Sequence, residues 1–149
     1  MKYYYLLCLS LLVSCTNSSP QNTGDNKGEK REIGEHDYSE IVDRKIAWEE
    51  TFSQEPYQYY CYIYSETCSH CNKIKNVVID YALNHAGIYF VEFKKNIPLL
   101  NDVSRTIGAT DIEHAGILGT PTLYYLINHT LIENIAGSQN VVKKLENNW

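Results

Sequence analysis

Apolar side chains along this chain fall into runs whose spacing changes from place to place, and the spacing predicts the elements. Tyr59 to Tyr64 is a dense run of β-favouring side chains and predicts a strand. Behind Cys71, the residues Ile74, Val78, Tyr81, Ala82 and His85 recur at helical spacing. They predict a helix from about Cys68, with Thr67 as its N-cap and Gly87 as its stop. Ile88 to Phe93 reads as the next strand, apolar enough to be central. Thr122–Ile127 and Leu131–Ala136 read as two strands joined tightly at Asn128-His129-Thr130. That joint lacks the usual Asn-Gly, which leaves its turn type open. After Gly137, Ser138 caps a final helix carrying Val141, Val142 and Leu145. The remaining signals are weaker. Ile41 and Val42 are assigned to a short first strand. Ile46, Ala47, Trp48 and Phe52 are assigned to a helix ending before Pro56. Leu100, Val103 and Ile107 are assigned to a short helix opened by Pro98 and stopped by Gly108.

The resulting order is β-α-β-α-β-α-β-β-α. Strand, helix, strand implies a parallel pair, and the late hairpin adds antiparallel strands. The expected fold is α/β, a central mixed β-sheet flanked by helices on both faces.

The start of the chain follows a different pattern. After Met1–Lys2, Tyr3 to Val13 is apolar and broken only by Ser10. The stretch is too short for a permanent membrane span but suits the apolar part of an export signal. It ends in Leu12-Val13-Ser14-Cys15, which resembles the lipobox of bacterial lipoproteins. That resemblance implies a signal peptide over residues 1–14, lipid on Cys15, and a protein anchored on the extracytoplasmic face of the cell membrane. Each buried CH₂ of an acyl chain contributes about 0.8 kcal/mol, so several chains on one cysteine anchor stably. Residues 15–36 then read as a flexible tether. From Thr16 to Glu35 only Ile33 is a sizeable apolar group, too little burial to offset chain entropy. The domain proper is expected over residues 37–149.

Composition narrows the function. The chain has 149 residues, 44% apolar and 21% charged, which fits one domain with one ordinary core. A formal charge of -5 without a long basic run gives nucleic-acid binding no support. Tyrosine, at 13 residues against 3 Phe and 2 Trp, suggests aromatic rings whose polar tips sit at the edges of the core. Of five cysteines, Cys8 lies in the leader and Cys15 is the lipid site, leaving Cys61, Cys68 and Cys71 in the folded part. One close pair plus a single thiol, in an oxidising setting, is closer to catalytic usage than to a disulfide scaffold. Cys61 alternates with Tyr60 and Tyr62 along its strand and reads as core packing.

The chemistry concentrates at Cys68-Ser69-His70-Cys71. Two cysteines separated by two residues pair across one helical turn, here at a helix start directly after a strand. There the backbone N–H groups are unpaired and the macrodipole favours a thiolate. His70, as an imidazolium, would favour that thiolate further. Cys71 falls on the core-facing stripe, so Cys68 is the expected attacking thiol and Cys71 the resolving one. A zinc site would need two more ligands, yet His85, His114 and His129 are scattered singles. A purely structural disulfide here would close too few residues to stabilise much. Asn128-His129-Thr130 also matches a glycosylation pattern, which carries little meaning in a bacterial lipoprotein.

Tyr62 to Cys71 resembles the strand, turn and active-site helix of the thioredoxin superfamily. Gly119-Thr120-Pro121-Thr122 resembles its second hallmark, a cis-proline before a strand. The resemblance covers roughly Tyr38 to Trp149. It implies a thioredoxin-like fold and a protein-disulfide oxidoreductase with Cys68, Cys71 and His70 as catalytic residues. It further implies that Pro121 lies beside the cysteine pair and that Thr120 offers its backbone N–H and C=O to an extended client chain. No cofactor and no metal is implied. The implied partners are protein or peptide thiols and disulfides, a redox partner not identifiable from sequence, and the membrane through the lipid. Such proteins run from about -270 to about -120 mV. Threonine before the proline resembles the reductases and isomerases, Ser-His between the cysteines the oxidases, so the direction of electron flow stays open. One departure stands out: the family often buries a carboxylate before the cysteine pair, whereas no Asp or Glu lies between Tyr57 and Ser65. Glu66 or a water-mediated route would take its place. Two rivals remain: an accessory lipoprotein that binds a client or aids peptide export, and a copper carrier using both thiols and His70.

Overall fold

The computed structural model describes residues 32–149. The leader, the Cys15 lipid site and most of the tether lie outside the described residues. Five strands form one sheet: β1 (Lys45–Ile46), β2 (Gln58–Tyr64), β3 (Ile88–Glu92), β4 (Thr122–Ile127) and β5 (Thr130–Ala136). Their spatial order is β1-β3-β2-β4-β5. β1, β3 and β2 run parallel, while β4 is antiparallel to β2 and to β5. Helix α1 (Ser69–Asn84) carries the chain from β2 to β3, and α2 (Ser138–Glu146) follows β5. This is the expected α/β architecture, a mixed sheet with helical segments on both faces.

β2 sits at the centre and is buried from Tyr59 to Tyr64. Alternate side chains of a strand point to opposite faces, so it feeds two cores. Tyr60, Tyr62 and Tyr64 join Ile88, Phe90 and Leu123 beneath α1, α2 and the segment carrying Tyr38 and Ile41. Tyr59, Cys61 and Ile63 join Val91, Tyr124 and Leu126 under Trp48, Phe52, Ile97 and Ile117. Among the described residues, no α-helix covers this second face; short 3-10 turns at Trp48–Glu50, Ser104–Thr106 and Ile112–His114 lie along the segments that do.

Three of the weaker expectations are corrected. Ile41 and Val42 belong not to a strand but to a 3-10 helix, Tyr38–Arg44. Asp37 caps it: its Oδ1 accepts from Ser39 N–H at 3.0 Å, and Glu40 reaches back to Asp37 N–H at 2.7 Å. Ile41 points inward while Val42 is 63% exposed. The helix expected from Ile46 shrinks to one turn because the sheet claims Ile46, which pairs with Val91. The helix expected after Pro98 shrinks to the 3-10 turn Ser104–Thr106, and its first part, Pro98–Leu100, is extended chain. Ile117 N–H donates to Pro98 O (3.0 Å) and Leu100 N–H to Ile117 O (2.8 Å), so backbone pairing across the loop wins over local propensity. That pairing brings Gly116 so close that a Cβ there would meet Leu100 at 2.8 Å and the Pro98 oxygen at 2.9 Å.

The β4–β5 joint resolves into a two-residue turn with Asn128 at φ 47° and His129 at φ 60°. Both central residues being left-handed is the signature of a type I′ turn. Ser138 is the first residue of α2, not its cap. That place belongs to Gly137 at φ 90°, whose N–H donates to Pro121 O at 2.9 Å.

Candidate active site

β2 delivers the chain to a turn stitched by its own side chains. Thr67 N–H donates to Ser65 Oγ (3.3 Å), and Cys68 N–H donates to Ser65 O (3.1 Å). Asn72 Nδ2 on α1 holds the Glu66 carbonyl at 3.1 Å. The expected N-cap, Thr67, is therefore occupied within the turn, and the cap is Cys68 itself. Its backbone is extended (φ -80°, ψ 116°), and its Sγ accepts from Cys71 N–H at 3.3 Å. A sulfur takes the place that a serine or aspartate oxygen usually fills.

The second motif arrives from across the sheet. The Thr120–Pro121 peptide is cis. The Cys68 thiol donates to Thr120 O at 3.3 Å, so the two distant segments meet at the sulfur. Thr122 Oγ1 holds Gly119 O at 2.7 Å on one side of the proline. The bond from Gly137 to Pro121 fixes the other side. Beside this junction lies an open cleft of about 560 Å³ lined by His70, Lys73, Thr120, Pro121 and the first turn of α2.

Cys61, Cys68 and Cys71 are free thiols. Cys68 is half-buried, Cys71 fully buried. Burial pushes the Cys68 thiol up. It is outweighed by the Cys71 side chain, by Thr120, and by the backbone N–H groups of Cys71 and His70, so Cys68 ends below the ordinary thiol range. Cys71 goes the other way: burial and its bond to Cys68 push it up to about 11. At neutral pH the pair is thus biased toward a thiolate at the outer sulfur and a protonated inner one. Cys61, on the opposite sheet face, is raised by burial alone.

Of the residues singled out from sequence, Cys68, Cys71, Thr120, Pro121 and His70 come together at one corner. His70 is exposed on the cleft wall. Among the described residues, no group of three or more His, Cys, Asp or Glu converges as a metal-ligand set. Sequence reasoning missed the floor of the site. Tyr38, Tyr62 and Tyr64 pack in one cluster with Cys71, Tyr38 stacked on Tyr64 at 4.2 Å and Tyr62 parallel to Tyr64 at 5.8 Å. The signal for two of them was the Tyr60-x-Tyr62-x-Tyr64 alternation in the strand that leads to the thiols.

No protein-family model matches the chain, and no curated protein matches it. Among solved structures, the chain is similar to thioredoxin f2 of Chlamydomonas reinhardtii, with 14% identity over 70% of this chain and 93% of that one, at a TM-score of 0.43. It is similar to spinach chloroplast thioredoxin f in its short form, with 12% identity over 72% and 95%, at a TM-score of 0.46. It is also similar to a thioredoxin from Aeropyrum pernix, with 18% identity over 68% and 80%, at a TM-score of 0.42.

Proposed function

We propose that this protein is a thiol–disulfide oxidoreductase acting on protein cysteines through the Cys68–Cys71 pair. The observation that carries the reading is the position of Cys68 Sγ: half-buried at the mouth of α1, 3.3 Å from Thr120 O, beside an open cleft. A thiolate there attacks a client disulfide, and one client sulfur leaves with the electron pair. Cys71 then attacks Cys68, the mixed disulfide breaks, and the second client sulfur leaves. The client is reduced by two electrons as the pair is oxidised; the same steps reversed oxidise a client. Thr120 offers its backbone to an extended client segment, and His70 on the cleft wall tunes the charge near Cys68. In the same reading Cys15 carries the lipid that holds the domain on the extracytoplasmic membrane face. A membrane or extracellular partner exchanges the electrons.

The test compares wild type with Cys68→Ser in insulin reduction and in refolding of a scrambled disulfide protein. Activity in the wild type that vanishes in the variant supports the reading. Equal activity, or none in either, discards it in favour of a client-binding module. The reduction potential against glutathione then assigns the direction, reducing near -270 mV and oxidising near -120 mV on an approximate scale.

A further inference from the structure

Two clefts flank the turn that carries Cys68, and their charges differ. The first, of about 440 Å³, has Asp37, Glu66, Lys45 and Lys75 along its wall. Those charges are balanced: Lys45 Nζ lies 3.9 Å from Glu66 Oε1, and Lys75 Nζ lies 4.0 Å from Asp37 Oδ2. The second is the 560 Å³ cleft that holds Thr120 and Pro121. Its wall carries Lys73 and His70 and no carboxylate. Among the described residues, the exposed Lys73 has no carboxylate within the 4.0 Å that joins Lys75 to Asp37.

The rest of that wall has the same sign. It is the first turn of α2, which contains no acidic residue, and its N-cap, Gly137, has no side chain to close the free N–H groups behind it. Such groups carry partial positive charge. The chain as a whole is acidic, with a formal charge of -5. Carboxylates are therefore plentiful, yet none is placed on this wall. An uncompensated lysine beside a reactive thiol, on an acidic protein, is the pattern of a surface that meets its counter-charge on another molecule. The spacing also fits. Lys73 stands two residues after Cys71 on α1, on the cleft into which Thr120 presents its backbone. An extended client there advances about 3.3 Å per residue, so the residues next to its reacting cysteine pass within reach of a lysine side chain.

We infer that Lys73 selects the client: protein disulfides whose reacting cysteine is flanked, within about three residues, by Asp or Glu. This rests on the redox reading of the site. As the client segment settles beside Thr120, its carboxylate pairs with the Lys73 ammonium. The chemistry at sulfur is unchanged: the Cys68 thiolate attacks, the client disulfide breaks, a mixed disulfide forms, and one client sulfur leaves with the electron pair. The ion pair forms on docking, so it acts on the rate of attack. The cleft is open to solvent, which keeps the preference moderate and sensitive to salt.

The experiment uses three peptide disulfides that differ only in the residues on either side of the cysteine, which are Glu, Gln or Lys. The second-order rate of attack by the reduced protein is read by acid quench and alkylation. Wild type is expected to prefer Glu over Gln by about threefold and Glu over Lys by about tenfold, with both gaps closing at roughly 0.5 M salt. Lys73→Gln should bring the three peptides together, and Lys73→Glu should reverse their order. Both substitutions sit on an exposed helix position and suit a helix, so the fold is retained. Uncharged iodoacetamide reports the reactivity of Cys68 itself. Equal rates for the three peptides in wild type overturn the selection, as does a preference that survives Lys73→Gln. A slowing in Lys73→Gln shared equally by all three peptides and iodoacetamide also overturns it, because the lysine would then act on the sulfur and not on the client. A wild type that reacts with no peptide overturns the redox reading, and the selection with it.

Discussion

On the sheet face away from the helices, the buried tyrosine hydroxyls are closed into the structure, while Thr51 Oγ1 and Asn134 Oδ1 stay unpaired. Tyr124 hydroxyl donates to Gly116 O at 2.6 Å and accepts from Gly116 N–H at 3.1 Å, and Tyr59 hydroxyl donates to Thr51 O at 3.1 Å. Even Cys61 is engaged, its thiol 3.7 Å from Thr51 O. On the face beneath α1 the same residue types behave differently. Tyr38, Tyr62 and Tyr64 leave their hydroxyls open, and Cys68 is drawn toward the thiolate. An unpaired buried polar group costs about 1–3 kcal/mol. Both faces leave some polar atoms unpaired, but beneath α1 three phenol hydroxyls do so in one cluster with Cys71, a local stability cost next to reactive sulfur.

The largest expected contrast comes from one cysteine on each face. Cys68→Ser should reduce disulfide exchange to background without unfolding the domain, because the hydroxyl can still cap α1. Cys61→Ala should leave exchange intact and cost on the order of 1 kcal/mol in denaturant unfolding through a small core cavity. If Cys61→Ala silenced exchange, the division between the faces would be wrong.

A smaller contrast lies in stability alone. Tyr124→Phe strands the buried N–H of Gly116, whose carbonyl keeps Asn134 Nδ2 at 2.9 Å, and should destabilise by about 1–3 kcal/mol, whereas Tyr62→Phe should be neutral or stabilising. Gly116→Ala falls with Tyr124→Phe. Its new methyl would meet Leu100 and the Pro98 oxygen below 3.0 Å, and a backbone oxygen held by Ile117 N–H cannot move aside, so about 1–3 kcal/mol is again expected. Chemical denaturation of all three variants, fitted with a common slope, checks the ordering.

Legibility in the sequence follows the same divide, apart from the Tyr38–Arg44 helix, which covers the chemistry-bearing face and reads as a strand. The chemistry-bearing face was readable because its elements are long and regular. β2 is a dense run of β-favouring residues, α1 shows several turns of spacing behind Cys71, the cysteine motif sits where they meet, and the proline motif opens β4. The other face was not, because its cover is irregular. A 3-10 turn of three residues, such as Trp48–Glu50, contains less than one period of any pattern. The Pro98–Leu100 segment is held by backbone bonds to Ile117, and backbone atoms leave no mark on side-chain spacing. The capping box at Asp37 and Glu40 was legible in principle, since its two residues stand at the required spacing before an apolar position. Tyr62 and Tyr64 were visible as a stripe, but their unpaired hydroxyls emerge only when neighbours from Tyr38 to Phe90 close around them.

The smallest effect, and the one that isolates the site from both cores, is the pH dependence of stability in the reduced protein. Cys68 has a folded pKa below its unfolded value. Its contribution is present above the unfolded thiol value, near 8.5, and is lost as pH falls through the lowered one. Stability should therefore rise with pH up to about 8.5. Cys71 is raised to about 11, so its contribution is present below the unfolded value and is lost as pH climbs toward 11. Cys61 and the buried tyrosines are also raised, and their alkaline losses would mask those of the pair. Subtracting the unfolding free energy of the oxidised protein removes them, because they are common to both forms while the disulfide abolishes both titrations of the pair. The reduced-minus-oxidised difference should then pass through a maximum near the ordinary thiol pKa, with opposite slopes on its two sides. A difference that falls steadily from neutral pH would mean that the outer sulfur is not favoured as a thiolate, and that the two faces do not treat cysteine differently.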